Sequence, residues 1–111
     1  MTPRYAWPMN PQTIIQTTAK YFEVPAEDLA GPSRTAKLCH PRMMAAYLCT
    51  ELTDASYGEI AAQFANKDRF YIAHCKRIMT IFTTEYELGH NQLLLLKRAI
   101  ESCNPQSISS L

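Results

Sequence analysis

Two groups of cationic side chains give the sequence its clearest chemical signal. Residues 34–42 contain three Lys or Arg and no acidic residue, and residues 67–77 contain four more Lys or Arg. Such side chains bind phosphate, and arginine also reads guanine through paired hydrogen bonds. Residues 33–77 hold seven Lys/Arg and four Asp/Glu, a balance of +3 in a 111-residue chain whose formal net charge is only +1. This distribution fits a nucleic-acid-binding face and, equally, an ordinary mixed surface.

Other kinds of chemistry lack the residues that they need. The four cysteines, Cys39, Cys49, Cys75 and Cys103, form no CxxC pair, and the three histidines have no matching ligand spacing. We therefore expect no metal and no cofactor. No nucleophile–base spacing and no GxxxxGK[ST] loop occurs, so we expect neither an enzyme nor P-loop ATP hydrolysis. Cys49 and Cys75 lie on apolar helical stripes, which predicts small core residues.

The stretch 56–82 predicts the elements that position the second cationic group. Ser56 and Glu59 have capping-box spacing, which predicts a helix start. The apolar stripe of this first helix is Tyr57, Ile60, Ala61 and Phe64, and that of the next helix is Ile72, Cys75, Met79 and Phe82. Asp68 falls in the first turn of the second helix, where a carboxylate suits the free N–H groups. A short helix, a turn and a longer basic helix are typical of a helix-turn-helix, whose second helix enters the DNA major groove.

Helical spacing recurs through the rest of the chain. With three glycines and no alternating apolar–polar runs, the sequence predicts an all-α domain of about five to six helices. The further predicted elements are a helix from Pro11 or Gln12 to about Phe22, a helical turn from Pro25 to Leu29, a loop at 34–42 and a helix with Pro41 in its first turn that runs to about Leu52. The long helix is predicted to end near Tyr86 or Glu87, with Gly89 as its stop, and the last helix to span about Asn91 to Ser102.

The two ends of the chain are expected to lie outside a single domain at residues 11–103. Residues 1–10 predict a flexible arm, and residues 104–111 a frayed tail. Met1 and the distinctive first ten residues suggest a stand-alone protein. The absence of a signal peptide and of an 18-residue apolar run predicts a cytoplasmic protein without a membrane partner. A protein partner is an open alternative for the arm or for the last helix, where Leu94 and Leu95 add apolar surface.

The order of these features resembles the C-terminal DNA-binding domain, domain IV, of the bacterial replication initiator DnaA. The resemblance runs from Ile14 to about Cys103. It is carried by three stretches, IIQTTAKYFEVPAEDL, SRTAKLCHPRMMAAYLCTELTDASYGEIAAQF and NKDRFYIAHCKRI. The last of these corresponds to a family signature close to GGRDHTTVLHA. The resemblance implies a Trp-repressor-like, all-α helix-turn-helix fold in a bacterial, nucleoid-associated protein.

The resemblance also implies roles for individual residues. Arg34 matches the arginine that the family inserts into the minor groove, and Lys37, His40 and Arg42 match phosphate-holding positions. The signature helix of the family enters the major groove, and its contact positions fall on Lys67, Asp68, Arg69, Phe70 and Tyr71. Ser56 and Tyr57 match backbone contacts at the start of the preceding helix.

This chain departs from the family signature where the bases are read. Ala65 and Asn66 replace two glycines, and Arg-Phe-Tyr replaces His-Thr-Thr. Arg69 is able to contact guanine, and Phe70 and Tyr71 are able to contact thymine methyls, but both aromatics are much bulkier than threonine. Two arrangements are open: one aromatic lies in the core and the other is exposed, or both are exposed and form an apolar face suited to a protein partner. The family's replication-origin box is therefore not assumed as the target.

Two functional hypotheses follow. The first is a double-stranded DNA-binding regulator of transcription or replication, probing sequence with the helix from Asp68 and with Arg34. The second is a protein-interaction module that kept the fold and lost base-specific reading, motivated by the rewritten signature and the near-neutral charge. The first hypothesis requires that the start of the helix near Lys67 is exposed and that Arg34 lies on the same side of the molecule.

Overall fold

The computed structural model describes residues 10–33, 35–65 and 67–102. The predicted arm, except Asn10, and the predicted tail lie outside these described residues, as do Arg34, Asn66 and Cys103. The described residues form six α-helices and one short 3₁₀ helix, with no strand among them. The helices are α1 (Pro11–Phe22), α2 (Ala26–Ala30), α3 (Cys39–Leu52), α4 (Tyr57–Ala61), α5 (Arg69–Glu85) and α6 (Glu87–Ser102), and the 3₁₀ helix is Ala36–Leu38. The predicted all-α class is confirmed.

Helix α1 begins and ends at capping residues. The Asn10 side chain accepts a hydrogen bond of 2.8 Å from the Gln12 amide, and proline occupies the first helical position. Proline suits that position because its missing N–H has no partner within the helix anyway. The helix ends at Glu23, whose φ of 59° is left-handed and lets its amide bond to carbonyls of the last turn.

The predicted loop at 34–42 is shorter than expected. Ala36–Leu38 form a 3₁₀ turn, and α3 starts at Cys39, so that Pro41 still falls within its first turn. Helix α3 is the centre of the fold because it contacts α1, α4 and α5, while α5 also packs on α6. Most of its length is buried for that reason, including Met44, Leu48 and Cys49.

A single residue, Tyr86, separates α5 from α6. The predicted helix stop at Gly89 is therefore wrong. Helix α6 already starts at Glu87, and Gly89 lies buried in its first turn. A Cβ atom on Gly89 would lie 2.1 Å from the Phe82 carbonyl oxygen. The glycine therefore permits close approach of the two helices and does not end α5.

The core is one cluster to which every α-helix contributes. Of the residues predicted on apolar stripes, Cys49, Ile60, Ala61, Phe64, Ile72, Cys75 and Met79 are buried. Tyr57 is a correction, since it stands at the first position of α4 and is 38% exposed. The cluster also contains Ile15, Ala19, Met44, Tyr47, Leu48, Leu52, Leu96 and Ile100. Phe22 and Phe82 are partly buried and pack against the cluster from outside. Within the described part of the chain, no helix combines the length and hydropathy required to cross a bilayer.

Candidate nucleic-acid interface

The start of α4 is built by a reciprocal pair of hydrogen bonds. The Glu59 amide donates to Ser56 Oγ at 3.1 Å, and the Ser56 amide donates to Glu59 Oε1 at 2.7 Å. These bonds complete the predicted capping box. The backbone hydrogen bond, followed by the Ser56 hydroxyl, lowers the pKa of Glu59 because both favour its ionised form. Ser56 and Tyr57 are thereby held at an exposed helix start.

The start of α5 is fixed by Asp68. One carboxylate oxygen, Oδ1, accepts hydrogen bonds of 3.1 Å from both the Phe70 and the Tyr71 amides. Two of the free N–H groups of the first turn are satisfied in this way. Asp68 and Arg69 are exposed, and no part of the chain that the structure describes covers this end of the helix. Of the two conditions set by the DNA-binding hypothesis, the exposed helix start is met, and the position of Arg34 lies outside the described residues.

Phe70 and Tyr71 have different environments. Phe70 is 69% exposed, and the guanidinium carbon of Arg69 lies 5.2 Å from the centre of its ring. Tyr71 is partly buried against the core, and Lys67 Nζ lies 4.6 Å from its ring centre. Burial raises the pKa of Tyr71, the Cys75 thiol raises it further, and the Arg42 charge acts in the opposite direction. The alternative with one aromatic exposed and one packed is the observed one.

The exposed face of α5 continues beyond Phe70 with residues that were not predicted as site residues. His74 and Arg77 are exposed, and Arg77 Nη2 donates to His74 Nδ1 at 3.3 Å. Arginine has no acceptor atom, so the histidine nitrogen is the acceptor. Spacings of four and seven residues from Phe70 place both side chains on the same face as that ring, a signal that the sequence already contained.

Lys76 belongs to the inner flank of α5 and not to that face. It forms an ion pair with Glu51 of α3, and its Nζ lies 5.8 Å from the Tyr47 ring centre. These contacts attach α5 to α3, so the charge of Lys76 is already paired within the protein.

The basic segment between α2 and α3 is only partly described. Lys37 is exposed on the 3₁₀ turn, as expected of a phosphate-binding residue. Ser33 Oγ lies 3.0 Å from Thr35 Oγ1 and accepts from the Thr35 amide at 3.4 Å, so the two residues that flank Arg34 contact each other. Arg34 itself lies outside the described residues.

Arg42 is a correction, because its side chain does not face outward. The residue is only 5% exposed. Its Nε donates to the Leu29 carbonyl at 2.8 Å, and its Nη2 donates to the Asp28 and Gly31 carbonyls at 2.9 and 3.2 Å. These three contacts replace the predicted phosphate contact with a structural one.

His40 is a second correction. Its ring lies between Phe22 and Phe82, at centroid distances of 5.6 and 5.1 Å, and packs edge to face with both. Its Nε2 lies 2.9 Å from the Gln92 side-chain oxygen on α6. Phe82 is near the opposite end of α5 from Arg69, so His40 joins α1, α3, α5 and α6 at that far end. These contacts take the place of the phosphate contact expected of it.

Two of the three described cysteines are buried, and the third is exposed. Burial raises the pKa of Cys49 to about 12 and, as the largest cause, that of Cys75 to about 11, while Cys39 is exposed. Among the described residues, no group of three or more His, Cys, Asp or Glu side chains is placed to hold a metal ion.

Comparison with known proteins agrees with this geometry. The profile of the bacterial DnaA helix-turn-helix matches residues 11–78. The chromosomal replication initiator protein DnaA of Cutibacterium acnes is 41% identical over 86 residues, which cover 78% of this chain and 17% of that protein. The DnaA of Corynebacterium aurimucosum is 31% identical over 91 residues, or 82% of this chain and 17% of that protein. This chain thus spans less than a fifth of the initiators that it matches, and it belongs to the family of the bacterial DnaA helix-turn-helix.

Proposed function

We propose that this protein binds double-stranded DNA in a sequence-selective manner and acts as a regulator of transcription or replication. The observation that carries the proposal is the exposed start of α5, where Arg69 and Phe70 project from a helix whose other side is buried in the core. In a helix-turn-helix, base edges are contacted from the N-terminal residues of the second helix. The capping bonds of Asp68 and the packing of Tyr71 hold this end in one conformation.

Affinity in this proposal comes from phosphate neutralisation. We assign it to Lys37, Lys67 and Arg77, and Arg34 is proposed to enter the minor groove. Ser56 and Tyr57, at the exposed start of α4, are placed to meet the sugar-phosphate backbone. Each phosphate neutralised on B-DNA steepens the dependence of log affinity on log salt concentration by about 0.9, so binding should weaken markedly with salt.

Selectivity in this proposal comes from two adjacent side chains. Arg69 offers a planar fork of donors that matches the major-groove edge of guanine. Phe70 has no hydrogen-bonding group, so its contacts are apolar, and the thymine methyl is the apolar group on the major-groove edges. Asp68 has one carboxylate oxygen occupied by two amides, which leaves its second oxygen for a base donor. Tyr71 supports Lys67 rather than the bases.

The regulatory part of the proposal rests on what the 111 residues contain. They hold the helix-turn-helix and no GxxxxGK[ST] sequence. A chain with these parts would occupy DNA sites without hydrolysing ATP through this segment, and would compete there with proteins that read similar sequences.

Selection of bound sequences from a random duplex pool tests the proposal, followed by titration of the selected duplex at several salt concentrations. We expect Arg69→Ala to weaken binding by roughly 1–3 kcal/mol and to relax the preference at one base pair. The matched control is Lys20→Ala, which removes an exposed cation from α1 and should leave affinity almost unchanged. Absence of binding at low salt, or equal losses in both variants, would refute the proposal.

The second candidate is a protein-interaction module. It is favoured by the apolar side chains on the exposed face of α5, where Phe70 is 69% and Ile81 48% exposed. Retention of a protein partner by the wild type and its loss in Phe70→Ala, with no duplex bound by either, would support this candidate over the first.

A further inference from the structure

The last turn of α2 and the glycine after it present four successive carbonyl groups, and each of them is occupied. Arg42 of α3 donates to the carbonyls of Asp28, Leu29 and Gly31. The remaining carbonyl, that of Ala30, accepts a hydrogen bond of 2.8 Å from the Ala65 amide. The C-terminal end of α2 therefore bonds to α3 on one side and to the turn of the helix-turn-helix on the other.

The burial of Arg42 has a clear electrostatic basis. Among the described residues no carboxylate forms an ion pair with it, so its charge is balanced by carbonyl dipoles. The C-terminal end of a helix is the negative end of its dipole and is where a guanidinium is stabilised. A buried charge without such bonds is strongly unfavourable, so the guanidinium and the three carbonyls that it contacts are held in one arrangement.

The Ala65 bond links this arrangement to the DNA-facing end of α5. Ala65 lies in the turn that precedes α5, three residues before the Asp68 cap. On the other side, Tyr71 of the first turn of α5 is partly buried close enough to Arg42 for that charge to act on the pKa of its hydroxyl. The same guanidinium thus bonds the carbonyls on both sides of the one that holds Ala65, and its charge acts on the first turn of α5.

We propose that Arg42 is a positioning residue: it holds the last carbonyls of α2 so that Ala30 receives the Ala65 amide, and this fixes where α5 begins. Arg42 touches no DNA in this proposal, and it acts on binding only through the turn and the helix start. The expected effect of Arg42 on affinity rests on the proposed DNA-binding function. Its expected effect on the turn at Ala65 does not.

The test uses the full chain with Arg42→Lys and Arg42→Met. Lysine keeps the charge, but a single ammonium does not reproduce the planar fork that reaches three carbonyls. Hydrogen exchange of individual amides is followed by NMR, and affinity for the selected duplex is measured against salt concentration. The stability control is Ile100→Val, a small loss from the buried face of α6. If Arg42→Met does not fold, Arg42→Lys alone is compared with the wild type.

We expect Arg42→Lys to speed exchange of the Ala65 amide by about tenfold relative to amides of the α3 and α5 core, since the opening is local. Affinity should fall by about tenfold, with the slope of log affinity against log salt unchanged, because no phosphate contact is removed. Ile100→Val should show neither effect.

The proposal is overturned if Ala65 exchange follows the core amides in both Arg42 variants. It is also overturned if Arg42→Lys binds like the wild type while Arg42→Met loses about 0.9 of the salt slope, since that pattern identifies a phosphate contact. If the wild type binds no duplex, the proposed function fails, and the Ala65 exchange alone decides whether Arg42 fixes the turn.

Discussion

The close approach of α5 and α6 at Gly89 leads to an unusual expectation for a glycine within a helix. Gly→Ala changes inside helices ordinarily stabilise by up to about 1 kcal/mol, because alanine has the higher helix propensity. At Gly89 a Cβ atom would lie 2.1 Å from the Phe82 carbonyl oxygen and 2.7 Å from its carbonyl carbon. Both are backbone atoms, so no side-chain rotation relieves the clash.

The expected magnitude follows from that geometry. Restoring a 3.4 Å contact would require the two helices to separate by about 1.3 Å at this point. Overpacking of a core costs about 1–3 kcal/mol even where side chains can adjust, and here they cannot. We therefore expect Gly89→Ala to lower the free energy of unfolding by about 2–3 kcal/mol, which for a domain of this size is a fall of about 10 °C or more in Tm.

The matched control is Gly58→Ala. Gly58 also lies within the first turn of its helix, α4, but the nearest atom to an added Cβ would be Ser56 Oγ at 3.9 Å. The same substitution should therefore raise stability by a few tenths of a kcal/mol. Thermal and urea unfolding should show a lower free energy of unfolding for Gly89→Ala and a higher one for Gly58→Ala. A Gly89→Ala protein at least as stable as the wild type, or two variants destabilised alike, would refute it.

Three further outcomes are expected. Asp68→Ala should lose about 1–2 kcal/mol in chemical denaturation because two amides lose their acceptor, whereas Asp68→Asn should keep most of the stability. The pKa of Glu59 in the folded state lies below its ordinary value of 4.5. Its contribution is therefore present above that value and is lost as pH falls through the folded pKa, so Glu59→Gln should flatten the decline of urea midpoints in acid. Alkylation of the native protein, mapped by peptide mass spectrometry, should modify Cys39 well before Cys49 and Cys75, because burial has raised the pKa of the latter two thiols to about 12 and about 11. Equal rates at all three cysteines would contradict the packing described for α3 and α5.

The helices themselves are largely predictable from local sequence. Apolar spacing of three and four residues identified α1, α3 and α5, because a helix needs only one buried stripe to be recognised. Ser56 and Glu59 identified the start of α4 for a similar reason, since the two residues of a capping box are only three positions apart in the sequence. Local signals of this kind involve no distant contact.

The features that the sequence alone did not predict depend on distant partners. Arginine is almost never fully buried, so nothing in the sequence indicated a buried Arg42. Its carbonyl partners lie on and just after α2, more than ten residues earlier in the chain. Glycine is common at helix ends, which led to the predicted stop at Gly89. In the structure Gly89 instead leaves room for the Phe82 carbonyl where α5 and α6 pack. The different environments of Phe70 and Tyr71 were predictable in part. Phe70 lies two residues before the buried Ile72 and therefore on the opposite face of the helix.

The contrast between Phe70 and its neighbours also bears on how the protein can diverge. Arg69 and Phe70 project into solvent, while the residues that keep α5 in place lie on its other side or at its far end, where His40 packs between aromatic rings. Substitutions at the two outward positions therefore cost little folding free energy. Under the proposed function, point mutations at Arg69 and Phe70 can therefore change the preferred DNA sequence while the fold is kept.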